Sequence, residues 1–339
     1  MRLHVVGLAH TQTTKAYSVC AFTENCRKFS RMMTERGHEV ILYAGEHDES
    51  GAQLVTCITE AEQAVLGFSG PETILSVDYM NPVHWAHFLG RVIDEMRERI
   101  EPDDIICLSM GSPTMDPIVE AFPDSLRVEY TAGYAGIDWR CRHVWPSYAW
   151  MHFVSGYRGL DGNGYDTVIA HPVETEDSPV CLTPDDYFMW MGRPSRKGRH
   201  IAMQAAQQLD RRLVVAGPDD DPDYGEYVGI ISPAERGKLL SHAAALFVPT
   251  EYIGPFELVF AEALMCGTPV ITTDWGAFTE YVEQGVDGFR CRTMAEFVLA
   301  AQEVDALDRE IIAARARARF SPEVVGALYE RYFDWTLSE

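Results

Sequence analysis

Lysine is nearly absent from this 339-residue chain: only Lys15, Lys28, Lys197 and Lys238 occur. With 28 Lys and Arg against 51 Asp and Glu, the formal net charge is −23. Such a field repels polyanions over most of the surface. It argues against nucleic acid and anionic lipid as partners wherever no local basic patch overrides it. The chain also lacks any apolar run approaching the roughly 20 residues that span a bilayer, and it has no amphipathic basic helix suited to a membrane surface. No membrane insertion is therefore expected. The start MRLHVVGLAH has neither a basic leader nor a small-residue cleavage site and reads as a first strand, so a cytoplasmic location is expected. None of the eight cysteines forms a C-x-x-C pair, and several lie in apolar runs, as Cys107 does in DIICL. Buried free thiols in a reducing compartment fit this pattern better than disulfides or zinc.

What is present is an alternation of strands and helices. The length favours two domains, each able to bury its own core, and a hydrophobic fraction of 47% is ordinary for a globular chain. LHVVGLA is a strand, residues 18–36 carry helical spacing, Gly37 sits where a helix C-cap is expected, and EVILYAG is the next strand. Residues 83–100 form a second long amphipathic stretch, and 104–109 and 126–130 read as further strands. Residues 171–186, HPVETEDSPVCLTPDD, are rich in Pro and acid with little periodicity and read as a linker. The alternation then restarts, with strands at 187–191, in LVVAG, in LFVPT and in VITT. Helices are expected at 199–209 and 232–245, and a final amphipathic one at 321–337 places Val324, Leu328, Tyr332 and Trp335 on one face. The expected fold is α/β: two Rossmann-like, mostly parallel sheets facing across a central cleft. The expected domains are 1–170, a linker at 171–186, 187–318, and a C-terminal helix at 319–339.

The stretch TEYIGPFELVFAEALMCGTPVITT, residues 250–273, is a loop–helix–strand unit. A Pro/Gly loop opens a short helix with Glu262 in its middle, Gly267 ends the helix, and a buried strand follows. A helix start offers unpaired N–H groups and partial positive charge, which suit an anion such as a diphosphate. Upstream, MGRPSRKG brings Arg193, Arg196, Lys197 and Arg199 together directly after a strand, a notable cluster on so acidic a chain. It is either a solvated basic loop or a phosphate site.

These segments resemble the retaining GT-B glycosyltransferases of family 4. MGRPSRKG resembles the family's G-R-x-x-x-x-K-G loop with one residue fewer between Arg and Lys. The resemblance gives Gly192 to the donor site and makes Arg193 and Lys197 the cations that hold the donor diphosphate. LVVAG and YVGIIS resemble the strand–glycine and nucleotide-base loops. GPFELVFAEALMCGTPVI resembles the pattern that sets two glutamates eight apart around P-F-G-L-V. Glu262 fits the second, a contact to ribose hydroxyls, because a carboxylate can accept two of them. Its surroundings, Val259, Phe260, Ala263 and Leu264, disfavour a merely exposed residue. At the first position Gly254 stands instead, and Glu257 replaces the pattern's glycine. Either Glu257 or Glu251 is expected to supply the lost carboxylate, or Glu257 is only an acid well placed at a helix start. Pro255, Phe256, Leu258 and Val259 complete the expected donor site. TTDWGAFTEYVEQGVDGF, residues 272–289, resembles the loop that follows in the family.

The resemblance implies transfer of a sugar from a nucleotide-diphosphate-sugar donor to an acceptor hydroxyl with retention, and no cofactor or metal. Asp219, Asp220 and Asp221 read as a solvated acidic turn in preference to a metal-binding D-x-D. The pair in His84-x-x-His87 has no evident third ligand. In the family the first domain binds the acceptor: a glycan, a lipid-linked sugar or a small molecule. The usual glycine-rich first loop is replaced by HTQTT with Lys15, so Thr14 and Lys15 either face the acceptor or belong to a surface loop capping the next helix. Ser109 stands where many relatives carry a histidine. Glu129, Tyr130 and Tyr134, and Tyr148, Trp150 and His152, line an acceptor pocket or pack in the core. Two alternatives stay open beside the transferase: a non-catalytic or degenerate nucleotide-sugar-binding protein, to which the missing glutamate points, and a GT-B sugar-nucleotide epimerase.

Overall fold

The computed structural model describes residues 1–71, 82–193, 196–218 and 222–338. The chain folds into two compact units. One comprises Met1–Pro146, Asp161–Pro172 and Gly326–Glu339; the other comprises Ser147–Leu160 and Val173–Val325. Both are three-layer α/β units built on a parallel sheet, so the two Rossmann-like sheets expected from the alternation are present.

In the first unit the strands are β1 (Arg2–Val6), β2 (Glu39–Ala44), β3 (Gln53–Thr56), β4 (Ile105–Leu108), β5 (Leu126–Glu129), β6 (Arg142–Trp145) and β7 (Thr167–Val168). They lie in the order β3-β2-β1-β4-β5-β6-β7, every neighbouring pair parallel. Leu3 of β1 is in register with Val40 on one side and Ile105 on the other. The central strands are covered on both faces, which explains their near-continuous apolar runs. His4 is the polar exception in β1. It is fully buried and satisfied at both ring nitrogens, Nδ1 2.9 Å from Tyr43 Oη and Nε2 2.9 Å from Asp104 Oδ2.

The second unit repeats the plan. Strands β8 (Tyr187–Met191), β9 (Arg212–Ala216), β10 (Glu226–Gly229), β11 (Ala245–Val248), β12 (Val270–Thr273) and β13 (Gly288–Cys291) lie in the order β10-β9-β8-β11-β12-β13, again all parallel. Its core gathers Phe188, Trp190, Leu213, Val215, Phe247 and Ile271 from the strands, against Ala202, Ala205 and Ala206 of the Arg199–Gln208 helix. The helices open as their sequences dictate: the S-P-A-E of 232–235 and the T-M-A-E of 293–296 each form a capping box. All eight cysteines are free thiols, six of them buried.

In the first unit Phe29, on the Ala21–Glu35 helix, stacks on Tyr130 at 4.1 Å and meets Tyr329 and Phe333 of the Pro322–Leu337 helix edge-on. The same helix is held by Arg36 and His38. Arg36 donates to both oxygens of Glu330 at 2.9 and 2.6 Å, and the His38 ring lies 2.9 Å from one of them. β5 ends on Glu129, whose side chain is fully buried. Its carboxyl accepts the Tyr134 hydroxyl at 2.9 Å and the Asp138 N–H at 2.8 Å. Burial pushes this carboxyl up to about 7, against the pull of nearby His143 and of those two donors.

Two outcomes follow from this packing. Phe29→Ala removes a ring that is 1% exposed and should cost about 3–5 kcal/mol in denaturant unfolding. Glu129→Gln should change the pH dependence of stability. A carboxyl raised in the folded state is harmless below the ordinary carboxylate range, and its stabilising share is lost as pH rises through about 7. Wild type should therefore lose about 3 kcal/mol relative to Glu129→Gln between pH 4.5 and 8, read from melting curves across that window. Parallel curves would show that Glu129 does not titrate there.

Candidate functional site

In a parallel α/β sheet, ligands bind beyond the carboxyl ends of the strands where successive strands leave in opposite directions. In the second sheet that point lies between β8 and β11. The loops after these two strands are MGRPSRKG and TEYIGPFE, the two segments singled out above.

The loop after β8 is tightly wound. Arg196 and Gly198 both take left-handed backbone, φ +60° and +66°. A side chain at Gly198 would put Cβ 2.1 Å from the Pro249 carbonyl, so glycine is required where this loop presses on the one after β11. The Glu251 N–H donates to the Arg196 carbonyl at 2.9 Å and fixes the same contact. Gly192 begins the loop and bonds back to the Ala216 carbonyl. Arg193 is exposed, and no carboxylate among the described residues pairs with it. Pro194 and Ser195 lie outside the described residues, as does the acidic turn Asp219, Asp220 and Asp221.

Lys197 is placed by its backbone and held by its side chain. The Trp190 indole donates to its carbonyl at 3.0 Å. Its ammonium donates to Glu257 Oε2, while the Tyr252 hydroxyl donates to Glu257 Oε1 at 2.7 Å. Burial works against the charge on Lys197, but the Glu257 carboxylate, with Tyr252, outweighs it and leaves the ammonium raised above its ordinary range. The two cations expected together on this loop thus differ: Arg193 is open and Lys197 has a partner.

After β11 the chain turns through Gly254 and Pro255 into the Leu258–Met265 helix. Phe256 anchors the turn, buried against Phe260, Tyr281 and Phe320. The Pro255 carbonyl accepts the Ser147 hydroxyl at 2.7 Å. Glu257 precedes the helix with φ +71°, a strained setting for a residue other than glycine. Leu258 and Val259 follow, half-buried, and their first-turn N–H groups have no intrahelical acceptor. Glu262 lies on the same helix, 8% exposed, with Oε1 2.9 Å from Arg236 Nη2 of the Pro233–His242 helix. Sequence reasoning missed Arg236, because only the packing of two helices brings it to Glu262. It also missed Ser147 and Glu280. Glu280 accepts the Tyr148 and Ala149 N–H groups at 2.9 and 2.6 Å, so Tyr148, Trp150 and His152, expected with the first half, sit on a helix of the second unit.

The first sheet has its own switch point, between β1 and β4. The loop after β1 is filled by its own contacts, and its Thr14 stands at the N-cap of the short 3₁₀ turn Lys15–Tyr17 without a side-chain cap bond. Thr11, Gln12 and Thr13 are buried; Gln12 donates to Gln63 at 2.6 Å and accepts the His47 N–H, and Thr23 donates to Thr11. The Ala21–Glu35 helix has Cys20 at its N-cap and no side-chain cap bond. Thr14 and Lys15 are half-buried at the end of this loop, and the Lys15 N–H donates to Glu49. Ser109, beyond β4, is buried and donates its hydroxyl to the Val6 carbonyl at 2.9 Å, which sews β1 to β4. Tyr134 is half-buried with its hydroxyl committed to Glu129. His84 and His87 lie on the Pro82–Arg97 helix, the first against Phe68 and the second 3.4 Å from Glu62. Among the described residues no three His, Cys, Asp or Glu side chains converge as a metal site.

Comparison with known proteins agrees with this geometry. Residues 185–313 match the family model described as "Glycosyl transferases group 1". A curated glycogen synthase of Mycobacterium tuberculosis is 31% identical over 192 residues, covering 50% of this chain and 45% of that protein. The D-inositol 3-phosphate glycosyltransferase 1 of Catenulispora acidiphila is 34% identical over 155 residues, covering 37% of each. The chain thus matches less than half the length of these curated relatives. Among solved structures, AviGT4, a glycosyltransferase involved in avilamycin A biosynthesis, superposes with a TM-score of 0.69 at 17% identity over 100% of this chain and 98% of its own. HepE of Anabaena, in complex with UDP and glucose, gives 0.68 at 14% identity over 98% and 99%. These likenesses show a GT-B fold across the whole chain, and the match to the glycosyl transferases group 1 model falls on residues 185–313, which hold both loops of the switch point.

Proposed function

We propose that the chain is a retaining glycosyltransferase that moves a sugar from a nucleotide-diphosphate-sugar donor to an acceptor hydroxyl and uses no bound metal. The observation that carries this reading is the pair of loops at the switch point of the second sheet. On a chain of net charge −23 they bring Arg193, Lys197 and a helix N-terminus to one strand end. Such a group suits a diphosphate, and the UDP in the HepE complex is a ligand of that kind. Glu262, oriented by Arg236, is the carboxylate this reading assigns to the ribose hydroxyls.

In the reaction the bond between the anomeric carbon and the diphosphate oxygen breaks as the acceptor oxygen bonds to that carbon on the same face. The acceptor's proton passes to the departing diphosphate. Arg193, Lys197 and the N–H groups of Leu258 and Val259 stabilise the charge that develops there. The cations of the loop supply what a metal supplies elsewhere, and the free thiols suit a cytoplasmic setting. The acceptor is a glycan, a lipid-linked sugar or a small molecule; the net charge argues against nucleic acid. No described helix is long and apolar enough to cross a membrane. A second reading, a nucleotide-sugar-binding protein without turnover, is favoured by Gly254, which stands where a sugar-contacting glutamate is expected.

Thermal melting with UDP, GDP, ADP, dTDP and CMP and their common sugar conjugates tests the donor class, since a ligand of the folded state raises the melting temperature by mass action. One nucleotide should stand out; no shift with any of them sinks the reading. With that donor, Arg193→Ala and Lys197→Ala should each lower turnover by about 10²–10³-fold. Arg193→Ala should melt as wild type does because its side chain is exposed. Lys197→Ala should melt earlier, because it leaves the Glu257 carboxylate without its cation. Binding in wild type without turnover on any acceptor would favour the second reading.

A further inference from the structure

Among the described residues only Arg196, Asp210 and Glu257 hold positive φ without being glycine, and two of the three lie in the loops of the switch point. Left-handed backbone is costly for an L side chain and persists where the surroundings over-determine it. At Glu257 the consequence is directional. The carboxylate folds back over Gly254: a Cβ built on Gly254 would meet Glu257 Oε1 at 2.7 Å and Cγ at 3.0 Å. A side chain at 254 and the carboxylate of 257 therefore claim the same space. Glu251, the other acid in the loop, is exposed, and its carboxylate lies 3.9 Å from the His200 ring.

We propose that the carboxylate of this segment has been transposed from position 254 to position 257. Glu257, gripped by Lys197 and Tyr252, contacts hydroxyls of the donor sugar, and Gly254 is the vacancy that lets it do so. An ionised carboxylate offers about four lone-pair sites. Lys197 takes one on Oε2 and the Tyr252 hydroxyl takes one on Oε1, so each oxygen keeps capacity for a sugar hydroxyl. Lys197, raised above its ordinary range by the same carboxylate, remains charged beside the diphosphate. One ion pair then reads the sugar on its acidic side and the phosphate on its basic side. The inference rests on the proposed transferase reading.

The test is a four-variant set: Glu257→Gly, Glu257→Gln, Gly254→Glu and the double variant Gly254→Glu/Glu257→Gly. Each is titrated with the free nucleotide diphosphate and with the nucleotide sugar giving the largest melting shift, and is assayed for turnover. Glu257→Gly should fold, since glycine accepts the backbone of residue 257, and should bind the free nucleotide as wild type does. It should lose about tenfold or more of the affinity the sugar adds, the scale of one charged hydrogen bond. Glu257→Gln, which keeps the packing, should show the same split and lose about 100-fold in turnover. Gly254→Glu alone should be inactive because two side chains compete for one space. The double variant, with the acid moved back, should exceed both of its parents. If Glu257→Gly keeps the sugar increment while wild type binds and turns over, the transposition fails and the transferase stands. If both 257 variants fold but lose the free nucleotide as well, Glu257 serves Lys197 alone and the proposal is overturned. A folded double variant no better than its parents also overturns it. Wild type that binds no nucleotide sugar overturns both readings together.

Discussion

Parallel strands cannot be joined by hairpins. Each connection must leave the carboxyl end of one strand and return to the amino end of the next, through a crossover of a dozen or more residues. Everything in this molecule follows from that constraint. It forces helices onto both faces of both sheets, buries the central strands on two sides, and delivers every loop that follows a strand to the same edge. Both sheets place their first strand beside their fourth, so the loops after β1 and β4, and after β8 and β11, diverge and leave room between them. In the second unit these two loops form the proposed donor site. In the first unit the corresponding loops are largely filled by their own polar contacts, from Gln12 to Gln63 and from Ser109 to Val6.

Charge sharpens this picture. A chain with so few lysines that uses one of them at a strand end has placed a cation against its own field. Lys197 stays charged there because a carboxylate from the neighbouring loop meets it, and the Trp190 indole fixes its backbone. The pair also ties the loop after β8 to the loop after β11, beside the contact of Gly198 with the Pro249 carbonyl. Glu262 and Arg236 make a comparable bond one helix away. Glu257 and Glu262 thus each come with a basic partner, which makes burial of these two carboxylates tolerable.

Much of the fold was legible because the central strands are short apolar runs with nothing else to be. EVILYA and YFMWM appear where their composition puts them, as do the helices with a Ser cap or a Gly stop. The strands at or near the sheet margins were not legible. QLVT and EYVG mix polar and apolar residues because none of their positions is fully buried, and RHVW and GFRC carry His143 and Arg290 in the strand, so neither period stands out. The helix at Tyr148–Arg158 hid behind aromatics that read as a pocket or a core. For the site, sequence pattern located both loops and the helix that carries Glu262. It could not see what those residues bond to. Ser109 was placed by alignment and turns out to spend its hydroxyl on Val6; Arg236 has no motif and is brought to Glu262 by helix packing alone.

Glu257 shows where linear comparison stops and geometry begins. Position by position, the segment has lost a glutamate and gained a misplaced one. On the proposed reading the two differences cancel in space, because the sign of φ at residue 257 decides which way its side chain leaves the backbone. A right-handed Glu257 would continue the helix and send its carboxylate along the first turn. The left-handed one sends it back across Gly254 to Lys197 and Tyr252. No composition or spacing encodes that sign for a residue other than glycine. It is set by the contacts that over-determine it: Phe256 locked in an aromatic cluster on one side, the helix beginning on the other, and an ammonium positioned to receive the acid.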